Sequence, residues 1–368
     1  MSSGDGIGHL GYSSSLGMYG RERRTHGDVR RPRAARGPVP GVPPGSRRGR
    51  RLSPGRGPWA LLALVFFSCL VAAAVLLRGG EGPAETAKVA VVNRPATAGA
   101  PEPPVDPARV RAIGELDERL EGISREHPGV HGAVVFDPIS GESASLNADR
   151  RFVAASLSKL YALLTLYKAA STGELSLDDE ITMRASDVWA EGTGVLYNQP
   201  VGTTMTLREC ATYLIEESDN TAEVMLNRYL GEREIEAELR RVGARSTSYW
   251  VPNTTTPDDV LLVLKAIADP SYTSPELSAE MLGIMTDTSF EDRLPEPLPE
   301  GAHVAHKIGS WETTFSDAGI VLPEGASGAD EGCYVVVFSE GVPEDAARET
   351  IRDVSLEAYR ALAPPEAR

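Results

Sequence analysis

The chain has 368 residues, with 37 Lys+Arg against 52 Asp+Glu and a net charge of −15. That balance argues against a nucleic-acid binder taken whole and leaves room for one large domain or two average ones. Its three cysteines, Cys69, Cys210 and Cys333, cannot build a disulfide scaffold, and no CxxC or Cys/His spacing marks a zinc ribbon or a thioredoxin-like site.

Residues 1–58 hold 12 Arg and 3 acidic residues, about +9, which leaves the rest of the chain near −24. With 13 Gly and 7 Pro, this head cannot bury enough apolar surface to offset its ordering entropy and is expected to be disordered. Its cluster Arg47-Arg48-Gly49-Arg50-Arg51, with Arg56 beyond, fits either a grip on nucleic acid or the cytoplasmic flank of a membrane span. The uncharged run of 19 residues from Trp59 to Leu77 favours the span, since a helix of that length covers roughly 28 Å. Arginines before it and acidic residues after it place the head in the cytoplasm and the body outside. A cleaved signal peptide would deliver the body to the same side. The length of the run and the lack of a clean small-residue cleavage site favour an uncleaved anchor. Cys69 lies inside the run, which does not suit a lipoprotein cysteine. Residues 78–106, in a stretch whose prolines run from Pro83 to Pro107, read as a semi-extended spacer.

From 107 to 368 the pattern is globular. Val110, Ile113, Leu116, Leu120 and Ile123 recur at helical steps over 108–126. Val130–Phe136 and Glu142–Leu146 read as strands joined by a turn-rich Asp137-Pro138-Ile139-Ser140-Gly141. The stretch 154–290 reads as largely helical, followed by strands over 302–309, 315–322 and 333–340 and a last helix over 344–361. Two early strands, three late ones and helices between predict an α+β domain whose five-stranded antiparallel sheet is built from both ends of the domain.

Three short motifs carry chemistry. Ser156-Leu157-Ser158-Lys159 is a Ser-x-x-Lys; with 29 Ser and 5 Lys, about 0.4 chance matches are expected, so it needs context. Helix geometry starting near Ala154 puts Ser156 in a first turn, and residues three apart share a helix face, bringing the Lys159 amine to the Ser156 hydroxyl. Unpaired N–H groups at a helix start also suit a developing oxyanion. Ser218-Asp219-Asn220 is expected by chance only about 0.03 times; as a cap it would end one helix and start another, and as a site it presents a hydroxyl and an amide from a loop. Lys307-Ile308-Gly309-Ser310 lies on a predicted strand. Only five lysines against 32 arginines occur, yet two fall in these motifs; lysine, unlike arginine, can lose its proton when desolvated.

In this order and at these separations, the three motifs resemble the penicillin-recognising serine enzymes, and the class A β-lactamases in particular. The flanking GTGVLYNQPVGTTMTLREC, SDNTAEVMLNRYLG, TTTPDDV and SDAGIVL segments extend the resemblance over roughly 110–365. It implies acyl transfer without a cofactor. Ser156 attacks the amide carbonyl, Lys159 takes its proton, and Ser218 relays a proton to the departing nitrogen. Asn220 binds the substrate side-chain amide, Lys307 attracts a carboxylate, and the backbone N–H groups of Ser156 and Ser310 form the oxyanion hole.

Two departures from the resemblance stand out. The family's water-activating glutamate, in a Glu-x-x-Leu-Asn loop, has no counterpart in the short ARSTSYWVPNTTTP passage after Gly243, which predicts acylation faster than deacylation. Ile308 replaces a hydroxyl residue, leaving the carboxylate to Lys307 and Ser310. Three functions remain open: a β-lactam-opening hydrolase, a D-Ala-D-Ala carboxypeptidase-like penicillin-binding protein, and a sensor without turnover. The expected protein is a monomer with a small-molecule β-lactam or D-Ala-D-Ala-type substrate, a membrane anchor and no nucleic-acid partner. His303 and His306 face opposite sides of a strand with no third ligand near, so no metal is expected. Tyr197 and Trp250 suit either the cleft or the core; Cys210 and Cys333 suit buried packing.

Overall fold

The computed structural model describes residues 106–326 and 328–362. The expected head (1–58), span (59–77) and, apart from Asp106, spacer (78–106) lie outside the described residues. Among the described residues no helix is long and apolar enough to cross a membrane.

Helix α1, Pro107–Glu126, starts with proline after an Asp106 cap whose carboxylate accepts from Ala108 N, a favourable helix start because the proline's missing N–H was unpaired anyway. Strands β1 (Val130–Phe136) and β2 (Ser143–Leu146) follow as a hairpin. Near the C-terminus come β7 (His303–Trp311), β8 (Thr314–Leu322), β9 (Cys333–Glu340) and the last helix, α8 (Glu344–Leu362). The five strands form one antiparallel sheet in the order β2-β1-β9-β8-β7. The α+β expectation therefore holds, with strands from the two ends of the domain meeting where β1 pairs with β9.

The period-2 alternation of a strand explains the two cores. Ala133 and Val135 of β1 and Val335 and Val337 of β9 face α1 and α8, packing with Leu116, Leu120, Ile351 and Val354. Val134, Val336 and Phe338 point to the opposite side, where the helical middle lies. Strands buried on both faces read as near-continuous apolar runs, as β9 does.

The middle contains α2 (Ser158–Ser171), α3 (Leu207–Glu216), α4 (Asn220–Leu230), α5 (Glu232–Val242), α6 (Pro257–Ala268) and α7 (Pro275–Thr286). It also contains two small ladders that the sequence did not announce. One pairs β3 (Phe152–Val153) with β6 (Thr254–Thr255), the other β4 (Glu180–Thr182) with β5 (Thr204–Thr206). Two or three residues are too few for periodicity to show.

Candidate active site

Helix α2 has no polar face over its first ten residues: Ser158 through Tyr167 are all buried. A helix enclosed on all sides is a rigid base for whatever its N-terminus presents. The expected helix start near Ala154 is displaced, because Ala155 takes a left-handed φ of +49°, costly for a residue with a Cβ. The chain instead makes one 3-10 turn, Ala155–Leu157, and the α-helix begins at Ser158. Ser156 sits half-buried in that turn. Lys159, fully buried, points back at it with Nζ 3.1 Å from Ser156 Oγ.

The connection from α3 to α4 supplies the second wall. Ser218 also has a φ of +49°, and this bend turns both its oxygens inward. Lys159 Nζ donates to Ser218 O at 2.7 Å, Ser218 Oγ at 3.2 Å and Asn220 Oδ1 at 2.6 Å. Asp219, between them, is buried and works on the backbone. One carboxylate oxygen caps α4 at Ala222 N (2.9 Å), and the other accepts from Val195 N (2.6 Å) and Leu196 N (2.8 Å). Three N–H groups on one carboxylate tie the 189–198 loop to the helix start. Asn220 Nδ2 donates to Glu191 O of that loop at 2.8 Å, and Thr193 Oγ1 donates to Ser218 O at 2.6 Å.

Strand β7 is the third wall and the edge of the sheet. Lys307 is fully buried there and donates to Ser218 Oγ at 2.9 Å, so two lysines meet at one hydroxyl. Gly309 allows the strand to come this close. A Cβ at that position would lie 2.8 Å from the Ala154 carbonyl oxygen and 2.5 Å from Ser316 Oγ.

The electrostatics follow from burial. Desolvation pushes the Lys159 amine below its usual range, opposed by Glu223 and Asp219. Desolvation pushes Lys307 down further, helped by the neighbouring Lys159 charge and opposed mainly by Asp317. A lysine so placed gives up its proton more readily than one in solvent.

Five of the six expected site residues, Ser156, Lys159, Ser218, Asn220 and Lys307, thus form one hydrogen-bonded cluster. Ser310 stands apart: it is exposed, and its hydroxyl accepts from Arg293 Nη2 at 2.7 Å. Arg293 was not singled out from the sequence. It is buried and also donates from Nη1 to Gly309 O (2.9 Å) and Ser316 O (2.6 Å), placing a second cation behind β7. A lone arginine in a proline-rich stretch gives no local signal. Glu223 was also missed; it lies three residues after Asn220 and so on the same helix face, with Oε2 3.7 Å from Lys159 Nζ.

A hydroxyl, two desolvated amines and a second hydroxyl between them can move a proton along one line, the arrangement that acyl transfer at a serine requires. A profile of the β-lactamase enzyme family matches residues 115–362. The chain belongs to that family. It is 31% identical over 165 residues to a β-lactamase of Amycolatopsis lactamdurans, a match covering 44% of this chain and 50% of that enzyme. The chain thus spans half the length of that relative. Among solved structures it resembles PBP-A, with TM-score 0.62, 28% identity and coverage of 68% of this chain and 96% of that one. A mutant of PBP-A is an acyl-enzyme complex with penicillin G. It also resembles an ancestral class A β-lactamase, with TM-score 0.62, 25% identity and coverage of 67% and 98%. The resemblance seen in the motifs and the fold it implied are both met.

Other side chains fall outside the cluster. Tyr197 is exposed, while Trp250 packs on the core beside Tyr249, their ring centroids 6.1 Å apart. Cys210 and Cys333 are free and buried. His306 is buried with Nδ1 2.9 Å from Asp317 Oδ1. Among the described residues no group of three His, Cys, Asp or Glu could hold a metal ion.

Proposed function

We propose that this family member is a membrane-anchored active-site-serine hydrolase that opens β-lactam amides through an acyl-enzyme on Ser156. The observation that carries the reading is the contact line Ser156 Oγ–Lys159 Nζ–Ser218 Oγ–Lys307 Nζ, at 3.1, 3.2 and 2.9 Å. Neutral Lys159 takes the Ser156 proton as Oγ bonds to the amide carbonyl carbon. The proton passes through Ser218 to the ring nitrogen as the C–N bond breaks, leaving an ester on Ser156 and a neutral amine. Asn220 offers its amide to the substrate side chain. Lys307, with Arg293 behind it, draws the carboxylate that Ile308 cannot bind. The N–H groups of Ser156 and Ser310 receive the oxyanion, a role that suits Ser310 although its side chain is engaged elsewhere.

Hydrolysis of the ester needs an activated water. The segment from Ala244 to Asn253 holds no acidic residue, so the reading includes deacylation slowed by roughly 10²–10⁴-fold. The same feature supports a second reading, a D-Ala-D-Ala carboxypeptidase-like penicillin-binding protein. The apolar 59–77 run and its flanking charges support anchoring, with the enzyme domain outside the cytoplasm.

The test is time-resolved intact mass of the full chain after addition of a penicillin. The expected result is a one-to-one adduct, absent in Ser156→Ala, that decays over minutes or longer. Absence of both adduct and turnover would refute acyl transfer; rapid loss of the adduct with fast product release would refute slow deacylation.

A further inference from the structure

Two fully buried lysines meeting at Ser218 Oγ are an electrostatic problem, because like charges a few ångströms apart in a dry site disfavour each other's charged form. Among the described residues, Glu223 is the one carboxylate within ion-pair distance of either amine, with Oε2 3.7 Å from Lys159 Nζ and a side chain only 12% exposed. The other nearby acid, Asp219, is engaged by the three backbone N–H groups of Ala222, Val195 and Leu196.

Glu223 is also held in place. Ser158 Oγ lies 2.9 Å from Glu223 Oε1 and 2.8 Å from the Ala155 carbonyl oxygen, so its one proton is shared between them. Asn253 Nδ2 donates to the same carbonyl at 3.2 Å. The carboxylate is therefore clamped to the 3-10 turn that presents Ser156, and from there it faces the lysine.

Resting on the acyl-transfer reading, we infer that Glu223 is a positioning residue: its carboxylate tethers the Lys159 amine between Ser156 and Ser218 and sets the pH at which that amine becomes a proton acceptor. The charges facing Lys159 are Glu223 and Asp219 from α4 and its cap, and Lys307 from β7, with Arg293 and Asp317 acting on Lys307 from behind. Of these, Glu223 is the largest influence favouring the ammonium form of Lys159. Without it, burial and Lys307 act with less opposition and the amine is neutral at lower pH.

Glu223→Gln removes the charge and keeps the shape. In the full chain, the rising limb of the acylation rate against pH moves to lower pH, so that the ratio of rates at pH 6 and pH 9 rises roughly tenfold. Glu223→Asp keeps the charge but withdraws it, giving an intermediate limb and a second test if the Gln variant does not fold. A readout independent of any β-lactam is available because the chain has only five lysines. Carbon NMR of lysine labelled at Cε, with Lys159 assigned by its loss in Lys159→Arg, follows its titration directly. The Lys159 resonance titrates at lower pH in Glu223→Gln, while those of Lys88, Lys168 and Lys265 do not move. Failure of wild-type protein to form an adduct on Ser156 would sink the acyl-transfer reading, with the NMR still reporting on Glu223. A Lys159 titration that stays in place or rises in both variants overturns the inference.

Discussion

Gly309→Ala tests whether the site depends on a close approach of strand to turn. A Cβ at 309 would meet Ser316 Oγ at 2.5 Å, Ala154 O at 2.8 Å and Leu157 Cγ at 3.4 Å. The serine hydroxyl can rotate away. The Ala154 carbonyl cannot, because it accepts from Leu157 N at 3.1 Å within the turn that holds Ser156, and Ala154 N is tied to Asn253 O at 3.1 Å. Relief to an ordinary contact of 3.4 Å moves that carbonyl by about 0.6 Å, since 3.4 − 2.8 = 0.6, and the turn moves with it. Overpacking of this kind costs about 1–3 kcal/mol of stability. A nucleophile displaced by a large fraction of an ångström loses about 10²-fold in rate. The assay pairs acylation by a fluorescent penicillin with a urea unfolding curve. Gly283→Ala is the control, on an exposed helical position with nothing within 4 Å of the new Cβ; it gains up to about 1 kcal/mol. A Gly309→Ala protein acylating at the wild-type rate with an unchanged midpoint would refute the reasoning.

Two further outcomes follow from buried charge. Burial opposes a charged His306, but the Asp317 carboxylate against Nδ1 and the Glu291 carboxylate 3.9 Å from Nε2 together outweigh it and raise the ring to about 9. A folded value above the unfolded 6.5 means that the stabilisation is complete below pH 6.5 and lost as pH rises through about 9. The unfolding free energy from urea curves should fall between pH 7 and pH 10 by an amount on the order of 3 kcal/mol, and His306→Gln should flatten that dependence; equal dependences in both proteins contradict it. Asp219→Asn should destabilise by roughly 3 kcal/mol, because an amide cannot accept from all three N–H groups at once. Thermal melting checks this, and an unchanged melting temperature would show that the 189–198 loop is anchored elsewhere.

Legibility in the sequence followed the range of the physics. Val130–Phe136 and Cys333–Glu340 were readable to the residue or nearly so because each holds a short apolar run, Ala133–Phe136 in one and Cys333–Phe338 in the other, close to turn residues. The five clustered side chains were readable because each belongs to a motif whose internal spacing is itself a geometry. What escaped was set by tertiary contact or by backbone strain. Ala155 looks like any helix-former, yet its positive φ displaces the helix start by one turn. Arg293 acts on Gly309 and Ser316 only because the fold brings a proline-rich segment beneath β7. Glu223 was within reach: it is one helical turn beyond Asn220, and following that face would have found it.

The pairing of β1 with β9 joins Phe136 to Tyr334, and this has a cost during biosynthesis. At ribosomal speeds of about 5–20 residues per second, the nascent β1 waits about 10–40 s for its partner. Its hairpin partner β2 pairs one edge at once, but through that interval the other edge presents bare amide and carbonyl groups beside an apolar surface, a ready template for aggregation. The last strand to be made is therefore the one that closes the exposed edge, and the sheet stays vulnerable until it arrives.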